Sequence, residues 1–118
     1  MNPTDGTERP RPAGADGPGG VFACLADENR RAIVDLVAVS PLTATDLAGR
    51  LGMSRQGVMK HLRLLAEVNV VRAQRRGREV RYSVNPDPVR EAARWLAARA
   101  TAWDRQLDAL RRAAESPG

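Results

Sequence analysis

Apolar residues repeat at helical spacing up to residue 67 and at strand spacing after residue 69. Before that change the pattern predicts three helices, over residues 28–39, 44–51 and 55–67. In the third helix, Val58, Leu62 and Leu65 fall on one face. We therefore expect each helix to bury one apolar side and to leave its other side to solvent.

Capping residues stand at the ends of these helices. Asp27 and Ser54 precede the first and third helices, at positions where a side-chain oxygen accepts a hydrogen bond from a free backbone amide. Thr43 and Asp46 have the spacing of a capping box, and Gly52 follows the second helix as a C′ glycine. The second and third helices are thus predicted to be joined by a tight turn.

The period of the pattern changes to two after Asn69. Residues 70–74 are strand-like, and the apolar side chains of residues 79–84 fall on one side of a second strand. The segment between them, residues 75–78, contains a glycine and reads as a turn. Two short strands around a glycine predict a β-hairpin.

A long helix with one apolar seam is predicted from Pro88 to about Ala114, with Asp87 as its N-cap. Such a helix is too long to be buried within one small domain, so we expect a second subunit to cover the seam. A short apolar turn at residues 21–25 is expected to share this interface. The predicted dimer interface comprises Val21, Phe22, Leu25, Ala93, Leu96, Ala100, Trp103, Leu107 and Leu110.

Two short helices around a tight turn, followed by a β-hairpin, predict a winged helix-turn-helix. The fold class is mostly α with a small β-hairpin, in the order α-α-α-α-β-β-α, where the first α stands for the short apolar turn at residues 21–25. Residues 1–20 contain four prolines and five glycines and are predicted to form a disordered tail. Residues 21–118 are predicted to form the domain, whose C-terminal dimerisation helix covers about residues 88–114.

Basic charge is concentrated in one part of the chain. The formal net charge is +5, yet residues 50–81 hold nine basic and two acidic side chains, so the rest of the chain carries a small negative charge. Such a concentration is typical of proteins that bind a polyanion. It also occurs on solvated surfaces of arginine-rich chains, so the charge alone does not decide between the two.

The composition argues against several classes of protein. One cysteine, Cys24, and one histidine, His61, are too few for a disulfide scaffold or a zinc finger, and no metal site or cofactor is expected. No apolar stretch of 18 residues and no secretory leader are visible, so we expect no membrane span and a cytoplasmic protein. No catalytic triad, carboxylate pair or phosphate loop is visible, so an enzyme is not expected.

The ordered set of motifs between Val21 and Ala114 resembles the ArsR-type family of bacterial transcription regulators. The resemblance rests on ACLADENRRAI at 23–33, LTATDLA at 42–48, LGMSRQGVMKHL at 51–62, NVVR at 69–72 and GREVRY at 77–82. It implies a homodimer that binds double-stranded DNA, with the helix at residues 55–67 in the major groove. The function expected is therefore that of a sequence-specific repressor on a palindromic operator.

The face of that helix opposite Val58 is expected to contact DNA. At 100° per residue, Gln56, Lys60 and Arg63 point outward. Arg55 and Met59 flank them, and His61 lies near the edge of the buried face. The predicted DNA-binding residues are Thr43, Thr45, Ser54, Arg55, Gln56, Met59, Lys60, His61, Arg63, Arg75, Arg76, Arg78 and Arg81.

Two alternatives stay open. Metal sensors of this family carry a Cys-x-Cys-type motif before the turn or histidines on the last helix, and this sequence has neither. A thiol- or metal-responsive repressor that uses Cys24 is one alternative. The other is a winged-helix adaptor that binds protein instead of DNA, although a basic and polar outward face favours DNA. The sequence does not identify the effector or the operator.

Overall fold

The computed structural model describes residues 17–115. Within this range lie five helices and three strands, which confirms the mostly helical winged helix-turn-helix fold predicted from the sequence. The helices are α1 (Pro18–Leu25), α2 (Glu28–Val39), α3 (Ala44–Leu51), α4 (Arg55–Glu67) and α5 (Asp87–Glu115). The strands are β1 (Leu42–Thr43), β2 (Val71–Arg76) and β3 (Glu79–Val84). The predicted order of elements therefore gains one short strand, β1.

Helices α2, α3 and α4 enclose the hydrophobic core together with the sheet. Its most deeply buried side chains, each less than 2% exposed, are Ile33, Leu47, Val58, Leu62, Leu65 and Val70. The apolar face predicted for α4 is therefore confirmed. No polar or charged side chain within residues 17–115 is buried. The core is thus apolar throughout, and it fixes α4 against α2 and α3.

The three strands form an antiparallel sheet in the order β1-β3-β2. Strand β1 escaped prediction because two residues are too few to show an alternating pattern. Its Leu42 lies opposite Tyr82 and its Thr43 opposite Arg81, so the segment before α3 is tied to the hairpin. In the hairpin turn, Gly77 has a φ of 62°, a left-handed value that glycine adopts without strain.

The predicted caps of the helix-turn-helix are present. The side chains of Asp27 and Ser54 each accept a bond from a backbone amide of the following turn at 3.0 Å. Thr43 and Asp46 exchange the two bonds of a capping box, at 3.0 and 3.2 Å. These backbone amides hold the pKa of the Asp27 and Asp46 carboxyls below the usual value. Gly52 ends α3 with a φ of 66°, as a C-terminal glycine does.

The N-terminal part of the domain differs from its prediction. Residues 18–20 were assigned to a disordered tail and residues 21–25 to a turn, but together they form α1. Proline is tolerated in the first turn of a helix, and Gly20, Val21 and Cys24 give α1 a buried side. This small apolar stripe is enough to hold a two-turn helix against the domain. The rest of the predicted tail, residues 1–16, lies outside the described residues.

Helix α5 also begins differently from its prediction. Asp87 is its first residue and not its N-cap, because the Arg90 amide already donates to the Pro86 carbonyl at 2.9 Å. The side chain of Asn85 accepts a bond from the Asp87 amide at 3.3 Å and so satisfies a free donor of the first turn. From there α5 runs for 29 residues to Glu115, close to the predicted length.

Candidate nucleic-acid interface

The turn and the buried faces of the helix-turn-helix set the position of α4. The amide of Met53 donates to the carbonyl of Ala48 at 3.1 Å, which closes the C-terminal end of α3 beside Gly52. Leu47 on α3 and Val58 on α4 are completely buried. The side of α4 opposite Val58 is therefore presented to solvent on a fixed frame.

Four exposed polar side chains on α4 form a surface that we call the reading face. Its members are Arg55, Gln56, Lys60 and Arg63. Within the part of the chain that the structure describes, none of their side chains has a hydrogen-bond or ion-pair partner. Guanidinium, ammonium and amide groups are the donors that pair with base edges and phosphates in DNA. The reading face therefore has the chemistry of a nucleic-acid interface.

Gly57 lies in the first turn of α4, where a glycine costs a helix about 1 kcal/mol relative to alanine. A Cβ at this position would lie 3.1 Å from Oγ of Ser54 and 3.5 Å from Cε of Met53. The shorter distance is tight, so a side chain would press on the hydroxyl that caps α4. The glycine thus leaves room for the cap, a role that the sequence alone did not reveal.

Met59 and His61, also predicted to contact DNA, are half-buried at the two borders of the reading face. The hydroxyl of Tyr82 on β3 contacts Sδ of Met59 at 3.9 Å. Nη1 of Arg30 on α2 lies 3.4 Å from Nδ1 of His61. Both side chains therefore connect α4 to neighbouring elements, in addition to any contact that they make with DNA.

Two of the predicted residues before α4 use their hydroxyls as helix caps. Oγ1 of Thr43 accepts from the Asp46 amide, and Oγ of Ser54 accepts from the Gly57 amide. Thr45 is exposed in the first turn of α3. A hydroxyl that accepts a backbone bond keeps its own hydrogen for donation, so the capping role is compatible with a phosphate contact.

The strand register divides the predicted arginines of the wing, the hairpin formed by β2 and β3. Successive side chains of a strand point to opposite faces. Arg75 shares the face of Tyr82, which contacts α4, whereas Arg76 and Arg81 lie on the opposite face. Arg78 lies in the turn between the strands. Of these four residues, the structure brings together only Arg76 and Arg81.

A solvent-open hollow of about 360 Å³ lies on the face of Arg76 and Arg81. Its lining consists of Pro41, Gln74, Arg76, Glu79, Arg81 and Ser83. The Glu79 carboxylate accepts two bonds from the Arg81 guanidinium, at 3.0 and 3.2 Å. The charge of Arg81 is therefore partly offset inside the wing, which makes Arg76 the stronger cation of this pair toward an outside partner.

The predicted dimer residues fall into an exposed group and a packed group. The exposed group lies on α5 and comprises Ala93, Leu96, Ala100, Trp103, Leu107 and Leu110. On α1, Phe22 and Leu25 are half-buried, and the Phe22 ring meets Trp95 edge-on with centroids 5.9 Å apart. Val21 is only 3% exposed and packs inside the protomer, so its place at the dimer interface stays a prediction. The helical form of α1 turns Val21 to the same side as Cys24, into the protomer.

Known proteins are similar to this chain in both sequence and architecture. A helix-turn-helix domain profile matches residues 25–74. The transcriptional repressor SdpR of Bacillus subtilis (strain 168) is 30% identical over 76 residues, which are 64% of this chain and 84% of SdpR. An ArsR-like transcriptional regulator from Rhodococcus sp. RHA1 is 37% identical and superposes with a TM-score of 0.77, over 85% of this chain and 94% of that one.

The chain belongs to the ArsR-type family of winged helix-turn-helix regulators. It is a DNA-binding transcriptional regulator and not an enzyme. A further structure, the homodimeric winged helix-turn-helix DNA-binding domain Mb0332 from Mycobacterium bovis, is 27% identical with a TM-score of 0.55. The match covers 71% of this chain and 75% of that domain.

Cys24 of this ArsR-type chain is buried, at 7% exposure. Desolvation raises the pKa of its thiol, although the nearby Arg30 guanidinium acts in the opposite direction. The reactive thiolate is therefore disfavoured at neutral pH. Within residues 17–115, no three His, Cys, Asp or Glu side chains come together as a metal site would require. In the same range, no helix has the length and the apolar composition for crossing a membrane.

Proposed function

We propose that this ArsR-type regulator is a homodimeric repressor that binds a palindromic operator through α4 of each subunit. The observation that carries the proposal is the reading face, which consists of exposed polar side chains without partners among the described residues. The repressor SdpR, 30% identical, supports the direction of regulation. Such a dimer would repress transcription by occupying a promoter and excluding the transcription machinery. We propose that the protein acts in the cytoplasm.

A second subunit is proposed because α5 has an apolar face without a partner within the described chain. Leu96, Trp103, Leu107 and Leu110 are 47%, 55%, 51% and 66% exposed. Soluble monomers rarely leave contiguous apolar patches of this kind open to water. The relative from Mycobacterium bovis, which is homodimeric, supports the same arrangement. In a two-fold dimer, two copies of α4 about 34 Å apart reach successive major grooves.

Within this proposal the residues divide the work between reading bases and holding the backbone. The Gln56 amide can pair with adenine, and Arg55 or Arg63 can pair with guanine, each through two hydrogen bonds. Arg78 in the wing turn and Arg76 beside it can contact phosphates or the minor groove. The residues at the reading face would therefore set the sequence preference, and those in the wing the general affinity.

A salt titration on an operator duplex tests the DNA-binding part of the proposal. The duplex is first selected from random sequences by the wild-type protein. Roughly six or more phosphate contacts per dimer would lower its affinity by about 10³-fold or more between 50 and 200 mM salt. An affinity that does not change over this range would rule out the basic residues between positions 50 and 81 as the contact surface. It would favour an adaptor that binds protein.

Substitutions at the two surfaces test the division of work. Gln56→Ala should weaken operator binding by about 1–3 kcal/mol and relax the preference at one base position. Arg78→Ala should weaken binding to operator and to random DNA by the same factor, because phosphate contacts carry little sequence information. Equal losses on both DNAs for Gln56→Ala would remove this residue from the base readers.

A further inference from the structure

One arginine joins three helices behind the reading face. Arg30 lies in the first turn of α2 and is half-buried. Its Nε donates to the carbonyl oxygen of Cys24, near the C-terminal end of α1, at 2.6 Å. Its Nη1 lies 3.4 Å from Nδ1 of His61, in the middle of α4. A single planar group therefore bridges the end of α1 and the helix that carries the reading face.

The chemistry of the two contacts defines what each partner does. A guanidinium has only donors, so Nδ1 of His61 must accept and Nε2 must carry the ring hydrogen. The last carbonyls of a helix lack partners within the helix, and a cation near them is also favoured by the helix dipole. Arg30 thus satisfies the end of α1 and fixes the tautomer of His61 at the same time.

The other side of α1 packs against α5. The rings of Phe22 and Trp95 meet edge-on with centroids 5.9 Å apart, and the Arg99 guanidinium lies 4.4 Å above the Trp95 ring. The chain of contacts therefore runs from α5 through α1 to Arg30, and from Arg30 to α4. It links the proposed dimer helix to the proposed DNA-reading helix.

We propose that Arg30 is a positioning residue, which sets the orientation of α4 relative to α1 and α5. In a dimer this orientation decides whether both reading faces meet their half-sites together. The inference rests on the proposed function of α4. It adds that the Arg30 guanidinium holds α4 in the orientation that this function needs. Loss of the bridge should harm contacts to bases, which need exact placement, more than contacts to phosphates, which tolerate small shifts.

Arg31 provides a matched control because it caps the same helix without reaching α4. Its Nη1 donates to the carbonyls of Leu25 and Ala26 at 2.8 and 3.0 Å. Arg30 and Arg31 are thus neighbours with equal charge that both bond the C-terminal end of α1. They differ in the contact with His61, which only Arg30 makes within the described chain.

The experiment measures affinity for the selected operator duplex and for a random duplex of equal length, with dimer state and helix content checked for each variant. Arg30→Gln should lower operator affinity by about tenfold and change random-DNA affinity by less than about twofold. Arg31→Gln should change both by less than about twofold. Equal effects of the two substitutions, or an equal loss on both DNAs for Arg30→Gln, would overturn the proposal.

A double-mutant cycle separates the bridge from a direct DNA contact of His61. His61→Leu should match Arg30→Gln, and the double variant should be no weaker than either, because both remove one shared contact. His61→Gln retains an acceptor oxygen and should restore most of the operator affinity. Losses that multiply in the double variant would show that the residues act independently, which contradicts the bridge.

Gln56→Ala serves as the reference in the same measurements. If it alters operator preference while Arg30→Gln does not, α4 reads bases and the positioning role of Arg30 is wrong. If Gln56→Ala and Arg30→Gln both leave operator preference unchanged, base reading by α4 is wrong, and the inference that depends on it fails with it.

Discussion

The apolar side chains are buried in the helix-turn-helix region but exposed along α5. Between Ile33 and Val71 the apolar faces of the helices and the sheet close on one another, and six of these side chains are less than 2% exposed. Along the 29 residues of α5, only Ala92 is buried within the described chain. Trp103 and Leu110 there remain 55% and 66% exposed.

The contrast indicates where each region obtains its stability. The helix-turn-helix completes a core from its own chain, so its substitutions should act on the unfolding of the protomer. The C-terminal half of α5 has no such core, so its substitutions should act on association with a second subunit. The two regions can therefore be separated by asking whether an effect depends on protein concentration.

Leu107→Asp should have the largest effect. A charge in the centre of the apolar face of α5 would have to be buried without a partner, so we expect folded monomers or unfolded chains instead of dimers. Operator affinity should then fall by about 10³-fold or more, to the level of non-specific binding. Sedimentation and operator binding measure the two outcomes.

The matched control for Leu107→Asp is Arg105→Asp, because Arg105 lies on the opposite side of α5. This control changes the net charge by more but leaves the apolar face intact, so the dimer should persist. Full operator affinity in a Leu107→Asp monomer would contradict the assignment of α5 to the dimer. A stable folded monomer of the wild type at micromolar concentration would do the same.

The two tryptophans of α5 should respond differently to the same substitution. The Trp95 ring already packs on Phe22 within the protomer, whereas Trp103 has no aromatic neighbour among residues 17–115. If the dimer buries Trp103, Trp103→Ala should cost about 3–5 kcal/mol of dimer stability. Trp95→Ala should lower the stability of the protomer and weaken the dimer less. Dissociation constants from sedimentation, beside thermal unfolding, distinguish these results.

The helix-turn-helix region was predictable because its signals are local. The caps at Asp27, Thr43 and Ser54 and the buried face of α4 all follow from spacing within a few residues, and the structure confirms them. The exposed face of α4 follows from the same spacing. The apolar seam of α5 was also predictable from the spacing of its residues, and we propose that a second subunit covers it.

The parts that escaped prediction depend on contacts between distant residues. The pairing of Leu42 with Tyr82 and the contact of Arg30 with His61 each join residues about thirty or more positions apart, which no periodicity reveals. The sequence does not show which face of the hairpin each wing arginine occupies, because the faces are set by the register between β2 and β3. The prediction therefore placed all four arginines in one group. The side of α1 that holds Val21 became clear only once the segment was seen to be helical.

Gly52→Ala should have a moderate effect that stays within the protomer. Among the described residues, and apart from its own chain neighbours, nothing lies within 4 Å of a Cβ at this position, so the cost comes from the left-handed φ of 66°. We expect a loss of about 1 kcal/mol of unfolding free energy. Gly49→Ala is the control, since it also meets no atom within 4 Å but lies inside α3. Alanine there should stabilise the helix by about 0.5–1 kcal/mol.

The same pair of glycines sharpens the comparison of the two regions. Both substitutions should leave the dissociation constant of the proposed dimer unchanged, because Gly49 and Gly52 take no part in the contacts that join α5, α1 and Arg30. A change in that constant for Gly52→Ala would show that the turn is coupled to α5, and the two regions would then not be separable. Chemical unfolding and sedimentation at several concentrations provide the measurements.

The smallest effect is expected from Asp46→Asn, at the capping box of α3. The amide of Thr43 holds the pKa of the Asp46 carboxyl below its usual value, so the folded state favours the carboxylate. Its contribution should be fully present above the ordinary aspartate pKa of about 3.9 and be lost as the pH falls through the lower, folded-state value. The melting temperatures of wild type and Asp46→Asn should therefore differ at pH 7 and converge in acid. Asp35→Asn, on the exposed side of α2 and away from the caps, removes an equal charge without touching a helix cap and is the control at pH 7. A gap between wild type and Asp46→Asn that stays constant down to pH 2 would assign the effect to the shape of the side chain and not to its charge.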